Sequence, residues 1–340
     1  MARLQMDMLP VGDADAFIIE VQLDGPPQVI VLDGGNDWED GERILRHLRA
    51  YYGGRVDHLI LSHIDVSHAG GLLYLVENLE AAEIGQAWVQ DLRKHGVDTA
   101  ATIARARQLA READSVAVRA VATHLADSIE CTERLIEALK AKGIRVQEAF
   151  ADGANRVGPF EVLGPTVEFF EKCVEFYNDE RLFAAVVEEG ISFRRRRTAD
   201  SAPASPDEAL RLAIDDPESE KQASLILLLD YEGDRYLFPG DAGRQAFEAC
   251  AGLERARNLH LLKVPNHGSK HNLSPELLDL FRPALAYASA SGIGINPHPD
   301  LVAALRNRGA VVYSTARSGN VWHRRGDVPP RAGFATRHPM

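Results

Sequence analysis

The chain has 340 residues, and its 45% hydrophobic and 26% charged residues are typical of a globular protein. The net charge of −12 argues against a surface that coats nucleic acid non-specifically, although a locally positive cleft would still admit a nucleic-acid substrate. No apolar run approaches the roughly 20 residues that cross a bilayer. The N-terminus also lacks the apolar core of a secretory signal. We therefore expect a cytoplasmic protein with no membrane partner.

Predicted strands and helices alternate along most of the chain. Residues 1–35 contain two apolar runs and no helical pattern, which is typical of a β-meander. Helices are predicted at Glu42–Tyr51 and Leu301–Arg308, where apolar residues recur on one face. The predicted strands are Ala16–Val21, Gln28–Leu32, His58–Leu61, Ala223–Leu229, Tyr236–Phe238, Leu259–Val264 and Ala284–Ala288. This mixed order indicates an α/β fold, with two β-sheets covered by helices in a single domain over residues 1–340.

Two insertions interrupt this order. Residues 98–142 are strongly helix-forming and predict a helical hairpin packed on the core. Residues 192–222 are first Arg-rich, then rich in Ser, Ala and Pro, and finally acidic, which predicts a flexible loop. A protease that prefers arginine would find several adjacent positions in the run Arg194–Arg197 of this loop.

A candidate metal-binding motif follows the strand His58–Leu61. His63 and Asp65 are two residues apart in an extended segment, so both side chains point the same way and can share one ion. A turn after Asp65 would return His68 to the same place, and Gly70 and Gly71 would allow a close backbone approach. Imidazole and carboxylate ligands suit Zn²⁺ or Mn²⁺ and leave room for a reactive water.

Three other strand ends carry similar groups. Asp33 precedes a glycine pair, Asp241 follows a glycine in a position suited to a bridging ligand, and His267 follows the strand Leu259–Val264. Together with the first motif they provide the oxygen bridge and flanking imidazoles that a dinuclear hydrolase needs. The predicted metal ligands are His63, Asp65, His68, Asp241 and His267.

This ordered set resembles the metallo-β-lactamase superfamily, and within it the hydrolase domain of the DNA-internalisation competence proteins. The matching segments are Gly12-Asp13-Ala14, Asp33-Gly34-Gly35, Ser62 to Gly71, Ser224-Leu225-Ile226-Leu227, Gly240-Asp241-Ala242, Val264 to Ser269, His298-Pro299-Asp300 and Ser318-Gly319. The resemblance covers nearly the whole chain apart from the two insertions. It implies a four-layer αββα sandwich and a metal-dependent hydrolase.

Two residues depart from the family pattern. Ser67 stands where the family has an acid, and Asn266 stands where it has the first histidine of a pair. Because a hydroxyl is a much poorer ligand than a carboxylate, the second metal site is weak, absent, or completed by His271 or Asp33. We therefore expect one or two ions.

Further residues near these motifs receive predicted roles. Asp65 and Asp241 are expected to be catalytic, and His298 is the expected proton donor to the leaving group. Ser269 and Lys270 are expected to bind substrate. Asp33 suits a carboxylate that orients a histidine, whereas Asp13 and Asp15 are predicted to cap a turn.

The leading functional hypothesis is a phosphodiesterase that acts on DNA or RNA through metal-activated water. The alternatives are a hydrolase of small phosphoesters, lactones or thioesters, and a metal-poor scaffold that binds a partner. Proteins resembling this one also occur beside trypsin-like proteases in bacterial defence gene clusters. The resemblance thus favours a zymogen in antiviral defence, activated when a partner protease cuts the loop 192–222. The alternatives are a solvated surface loop and a loop that holds the phosphate backbone of a substrate.

Overall fold

The structure is a computed structural model that describes residues 3–153, 155–179, Phe183, Val187, 203–331 and 338–340. The arginine run Arg194–Arg197, where we predict proteolytic cleavage, lies outside the described residues. Within the described part, two seven-stranded sheets form the centre of the molecule.

The first sheet has the strand order β14-β1-β2-β3-β4-β5-β6. Neighbouring strands in this sheet are antiparallel from β14 to β3 and parallel from β3 to β6. The predicted β-meander is therefore confirmed as β1 to β3. The strands are β1 (Arg3–Met8), β2 (Ala16–Gln22), β3 (Gln28–Gly34), β4 (Val56–Ile60), β5 (Ile84–Trp88), β6 (Arg145–Gln147) and β14 (Val321–Gly326).

The second sheet has the order β13-β12-β11-β10-β9-β8-β7. It is antiparallel from β7 to β10 and parallel from β10 to β13. The strands are β7 (Arg156–Val157), β8 (Phe160–Gly164), β9 (Ile226–Tyr231), β10 (Asp234–Phe238), β11 (Leu261–Lys263), β12 (Leu285–Ala288) and β13 (Val311–Ser314).

The two sheets pack face to face, with helices on both outer faces. Side chains from both sheets, such as Phe17 and Phe238, form one buried cluster between them. On the outer face of the first sheet lie α1 (Trp38–Tyr51), α2 (Val66–Asn78) and part of α4 (Val116–Ala141). The second sheet is covered by α8 (Arg244–Glu248), α9 (Pro275–Phe281) and α10 (Pro299–Asn307). The predicted α/β fold of four αββα layers is confirmed.

The insertion at residues 98–142 is a helical hairpin. It consists of α3 (Thr99–Glu112) and α4, which pack with α5 (Val167–Val174) around an apolar cluster of their own. Val116, the first residue of α4, is 71% exposed.

The C-terminal part of the predicted flexible loop contains helices. Here α6 (Pro206–Leu212) buries Leu210, and α7 (Ser219–Gln222) follows it. The N-cap Ser205 and Pro206 at the first helical position explain why a helix begins there. The described residues also contain α11 (Thr315–Ser318) and the 3₁₀ turns Ala81–Glu83, Leu92–His95, Glu175–Tyr177, Leu253–Ala256 and Asn266–Gly268.

The predicted ligands follow the C-terminal ends of parallel strands in both sheets. His63 follows β4, and His267 follows β11. The backbone N–H of Leu225 donates to the carbonyl of Ser62, which joins the two sheets beside this edge. None of the described helices is long and apolar enough to cross a membrane.

Candidate metal centre

His63 and His68 meet in the loop between β4 and the first turn of α2. Both rings are buried, and their centroids are 4.2 Å apart. His63 Nδ1 lies 3.0 Å from Ser62 Oγ, and His68 Nδ1 lies 3.0 Å from Asp33 Oδ2. The Nε2 atoms of both rings are buried, and neither has a hydrogen-bond partner among the residues that the structure describes. Each histidine is thus held at Nδ1, and its Nε2 is available as a ligand for a metal ion.

Two glycines in the first turns of α2 allow this helix to pack closely against the end of β3. A Cβ atom on Gly71 would lie 1.9 Å from the carbonyl oxygen of Gly34. A Cβ atom on Gly70 would lie 1.9 Å from the carbonyl oxygen of Asn36. Both positions therefore exclude any side chain, and this places the first turn of α2, with His68, directly against the end of β3.

Asp33 joins the end of β3 to the histidine loop. Its Oδ1 accepts from the backbone N–H of Ser62 at 2.7 Å, and its Oδ2 contacts His68. Asp33 has φ of 60°, a left-handed conformation in which Asp is enriched among residues other than glycine. The structure thus places Asp33 where the sequence predicts it, as a carboxylate that orients a histidine.

Asp241 lies at the centre of the predicted ligands. Its Oδ2 is 3.7 Å from His68 Nε2 and 3.4 Å from His267 Nε2. The ligand atoms of His63, His68 and Asp241 all lie within 4.8 Å of one another. Asp15, Asp241 and His267 form a second such group, and a third consists of Asp15, Asp33 and His68.

The residues present fit a divalent cation. Metal–ligand bonds of about 2.0–2.1 Å place tetrahedral ligand atoms roughly 3.3–3.4 Å apart. The separations of 3.4 and 3.7 Å around Asp241 Oδ2 come close to that spacing. Buried nitrogens without a partner, as in His63 and His68, also need a compensating contact. Histidine and carboxylate donors of this kind suit Zn²⁺ or Mn²⁺.

Burial and charge prepare these groups for a cation. Burial, together with the neighbouring His68, lowers the pKa of His63 to about 3. Burial also lowers the pKa of His267, so both rings are neutral and can act as ligands near pH 7. Burial alone would lower the pKa of His68, but Asp33 and Asp241 raise it well above the usual range. A proton on this ring would therefore have to leave before a metal ion binds.

Lys263 and Asp15 are members of the centre that the sequence analysis missed. Lys263 is 2% exposed, and its Nζ donates to the carbonyl of Gly240 at 2.6 Å. The same ammonium contacts Asp241 Oδ1 at 3.3 Å and forms a close ion pair with Asp15 Oδ2. Asp15 is buried in the centre and is no turn cap, whereas Asp13 is exposed and bonds Ser291. A lysine within the apolar strand Leu261–Lys263 is the signal that could have predicted a buried acidic partner.

Asp65 lies near His63, but both of its carboxylate oxygens are engaged by other groups. It caps α2, and its Oδ1 accepts from the backbone N–H and the hydroxyl of Ser67 at 2.7 and 2.8 Å. Its Oδ2 lies 3.1 Å from His124 Nε2, in the helical insertion, and 4.0 Å from His63 Nε2. A role for Asp65 as a metal ligand stays a prediction. The contact from His124 could not be read from the sequence, because α4 lies far along the chain.

The backbone N–H of Asn266 donates to Asp241 Oδ1 at 3.2 Å, but its side chain bonds residues outside the predicted ligand set. Its amide nitrogen donates to Asp216 Oδ2 at 2.7 Å and to Asn272 Oδ1 at 3.2 Å, and its amide oxygen accepts from Lys221 Nζ at 3.4 Å. Its side chain therefore serves a polar network next to the centre. His271, offered above as a replacement ligand, lies with Nδ1 2.8 Å from the carbonyl of Ile214.

The other predicted site residues lie close to His267 in the chain or in space. The backbone N–H of His298 donates to the carbonyl of Gly268 at 2.8 Å, and its Nδ1 accepts from the N–H of Asp300 at 3.2 Å. Ser269 and Lys270 are both buried. Their predicted contact with substrate, like the predicted proton transfer by His298, stays a prediction.

Comparisons with known proteins agree with this architecture. The profile of the metallo-β-lactamase superfamily matches residues 9–143. The chain is 25% identical over 203 residues to ComE operon protein 3 of Bacillus subtilis (strain 168), a match that covers 56% of this chain and 26% of the relative. The chain thus spans about a quarter of the length of that relative.

Two solved structures show a distant likeness to this chain, and one of them is described as a metallo-β-lactamase-fold protein. YhfI from Bacillus subtilis aligns with 95% of this chain and 100% of its own, with 9% identity and a TM-score of 0.47. A long-form RNase Z from yeast aligns with 85% of this chain and 37% of its own, with 13% identity and a TM-score of 0.36. Residues 9–143, which contain His63, Asp65 and His68, thus match the profile of the metallo-β-lactamase superfamily.

Proposed function

We propose that the protein is a metal-dependent phosphodiesterase that acts on nucleic acid. The observation that carries this proposal is the buried group of His63, His68 and Asp241, in which two imidazole Nε2 atoms lack a partner and lie near a shared carboxylate. A nucleic-acid substrate is supported by the resemblance to the hydrolase domain of DNA-internalisation competence proteins and by the match to ComE operon protein 3.

His63, His68 and Asp241 would hold a Zn²⁺ or Mn²⁺ ion, with His267 beside them. When bound, such an ion acts as a Lewis acid toward phosphoryl oxygens and acidifies water. Asp33 keeps the ring of His68 in place, because its carboxylate contacts Nδ1 and leaves Nε2 for the ion.

His298 is the proposed proton donor to the leaving group. Its Nδ1 accepts a hydrogen bond from Asp300, so a proton on the ring is carried by Nε2. Its backbone N–H donates to the carbonyl of Gly268, directly after His267, and this bond joins the two loops. Asp65, near His63, is proposed as a further metal ligand and catalytic carboxylate, and Ser269 and Lys270 are proposed as substrate contacts.

Plasmid nicking by protein freed of metal with EDTA and then supplied with Zn²⁺ or Mn²⁺ tests the proposal. We expect cleavage only with added metal, and its loss in His63→Ala and Asp241→Ala variants that keep the circular dichroism of the parent. Hydrolysis of a small phosphodiester without cleavage of DNA or RNA would favour the small-substrate alternative. Metal binding below one ion per chain would favour the scaffold alternative.

Activation by a trypsin-like protease is a separate proposal that rests on the sequence run Arg194–Arg197. Limited trypsin treatment followed by the same nicking assay tests it. Cleavage near Arg197 that raises nuclease activity would support a zymogen. Cleavage that lowers the activity would favour a role of these arginines in holding the phosphate backbone. Cleavage without effect would contradict both.

A further inference from the structure

A buried ammonium group lies inside the candidate metal centre. Lys263 Nζ contacts Oδ1 of Asp241 and Oδ2 of Asp15, and it also donates to the carbonyl of Gly240. The lysine and both carboxylates are at most 2% exposed. A charge so far from water persists only where opposite charge and hydrogen bonds compensate it. The ammonium is therefore a fixed part of the charge balance of the centre.

The ammonium lies against the second of the groups that could hold a cation. That group consists of Asp15, Asp241 and His267, and Lys263 neutralises both of its carboxylates. Asn266, the residue just before His267, turns its amide to Asp216 and Asn272 and adds no ligand. In the group of His63, His68 and Asp241, by contrast, Lys263 pairs with one carboxylate, Asp241, and the other two ligands are imidazoles.

The charges of the centre balance with a single divalent cation. Asp15, Asp33 and Asp241 carry three negative charges in a buried space, and Asp65 is paired separately with His124. One divalent ion and the Lys263 ammonium supply three positive charges. A second divalent ion would leave two positive charges in excess, which is costly away from water.

We infer that Lys263 takes the place of a second metal ion, so that the centre holds one divalent cation at His63, His68 and Asp241. This inference rests on the proposed metal-dependent function. Lys263 then acts as a permanent counter-charge that keeps Asp15 and Asp241 in position whether or not the ion is bound. The role is one of charge and position, since the buried ammonium is not placed to contact a substrate.

The ion count of the parent protein tests this inference without an activity assay. Metal-free protein is saturated with Mn²⁺ or Zn²⁺, desalted and analysed for metal content, with calorimetry as a second count. We expect one ion per chain. Two ions would overturn the assignment of Lys263 and leave the proposed function standing, whereas no ion would overturn the proposed function as well.

Removing the ammonium should open the second position. We expect Lys263→Met, which keeps the length of the side chain, to bind two ions per chain. Lys221→Met is the matched control, because Lys221 is an ammonium next to the centre that pairs with Glu218 and hydrogen-bonds Asn266, whereas Lys263 pairs with Asp15 and Asp241. This control should stay at one ion. A folded Lys263→Met protein that also stays at one ion would overturn the inference.

A variant that leaves Lys263 in place covers the case in which Lys263→Met does not fold. Asp15→Asn removes a ligand of the second group but none of the first. We expect it to retain its single ion with an affinity within a fewfold of the parent. Loss of the ion would place the cation at Asp15, Asp241 and His267 and would overturn the inference.

Discussion

Asp33→Asn would test whether the centre depends on the carboxylate behind His68. In the parent protein, Asp33 holds the His68 ring from Nδ1 at 3.0 Å and also accepts from the N–H of Ser62 at 2.7 Å. Asn is the appropriate replacement because it tolerates the φ of 60° at this position. Ala would add a backbone cost of about 1–2 kcal/mol in this left-handed conformation.

The size of the effect follows from the two hydrogen bonds. The amide oxygen of Asn can accept from one donor, but its NH₂ group leaves the other donor without a partner. The retained bond also loses its charge, and charge-assisted hydrogen bonds are about twice as strong as neutral ones. Loss of such a partner behind a metal-binding histidine typically lowers metal affinity about 10–100-fold. That range corresponds to about 1.4–2.7 kcal/mol of binding free energy.

The assay is a competition titration of metal-free protein with a chelating dye and Zn²⁺, combined with thermal unfolding. Asp57→Asn is the matched control, because Asp57 also accepts from a backbone N–H of a neighbouring strand, that of Val29, but at the opposite end of β4. Its metal affinity should equal that of the parent. Zn²⁺ affinity within twofold of the parent in Asp33→Asn would refute the proposed role of Asp33.

Two further predictions concern the scaffold. Gly71→Ala should lower the free energy of unfolding by at least about 1–3 kcal/mol, because its Cβ would lie 1.9 Å from a backbone oxygen of β3; urea unfolding measures this loss. Although burial opposes it, His47 and Arg331 lower the pKa of Asp7. Asp7 therefore binds a proton more readily in the unfolded chain than in the folded one. The stability that Asp7 contributes is complete above about pH 4 and is lost as the pH falls through the lowered pKa of the folded protein. Asp7→Asn should flatten the acid side of the plot of unfolding free energy against pH, and an unchanged slope would contradict this.

The outline of the centre could be predicted because each motif is local. A strand end followed by a histidine or an acid is visible in a short segment, and the fold then brings such ends to one edge. His63, His68, Asp241 and His267 were identified in this way, and the structure places all four together. The glycine pair after His68 also indicates the position of this histidine, because the close approach of α2 to the end of β3 requires glycine at both positions.

The partners of these motifs could not be predicted, because they come from distant segments. Lys263 reaches Asp15 across the interface of the two sheets. The sequence around each residue does not identify the other as its partner. His124 reaches Asp65 from the helical insertion, where the sequence shows only helix-forming residues. Asp65 illustrates the consequence, since its spacing from His63 predicts a shared ion while its two oxygens are occupied by Ser67 and His124.

The charge of Lys263 also determines what a restored ligand can achieve. Ser67→Asp would return an acid to the position where the family pattern has one, but Ser67 Oγ lies 2.8 Å from Asp65 Oδ1. The new carboxylate would therefore face a like charge, and Asp15 and Asp241 would remain neutralised by Lys263. We expect Ser67→Asp to bind one ion per chain, as the parent does, and Ser67→Asp combined with Lys263→Met to bind two. Elemental analysis of both proteins decides the matter, because two ions in Ser67→Asp alone would show that a missing acid, and not the buried ammonium, limits the centre to one cation.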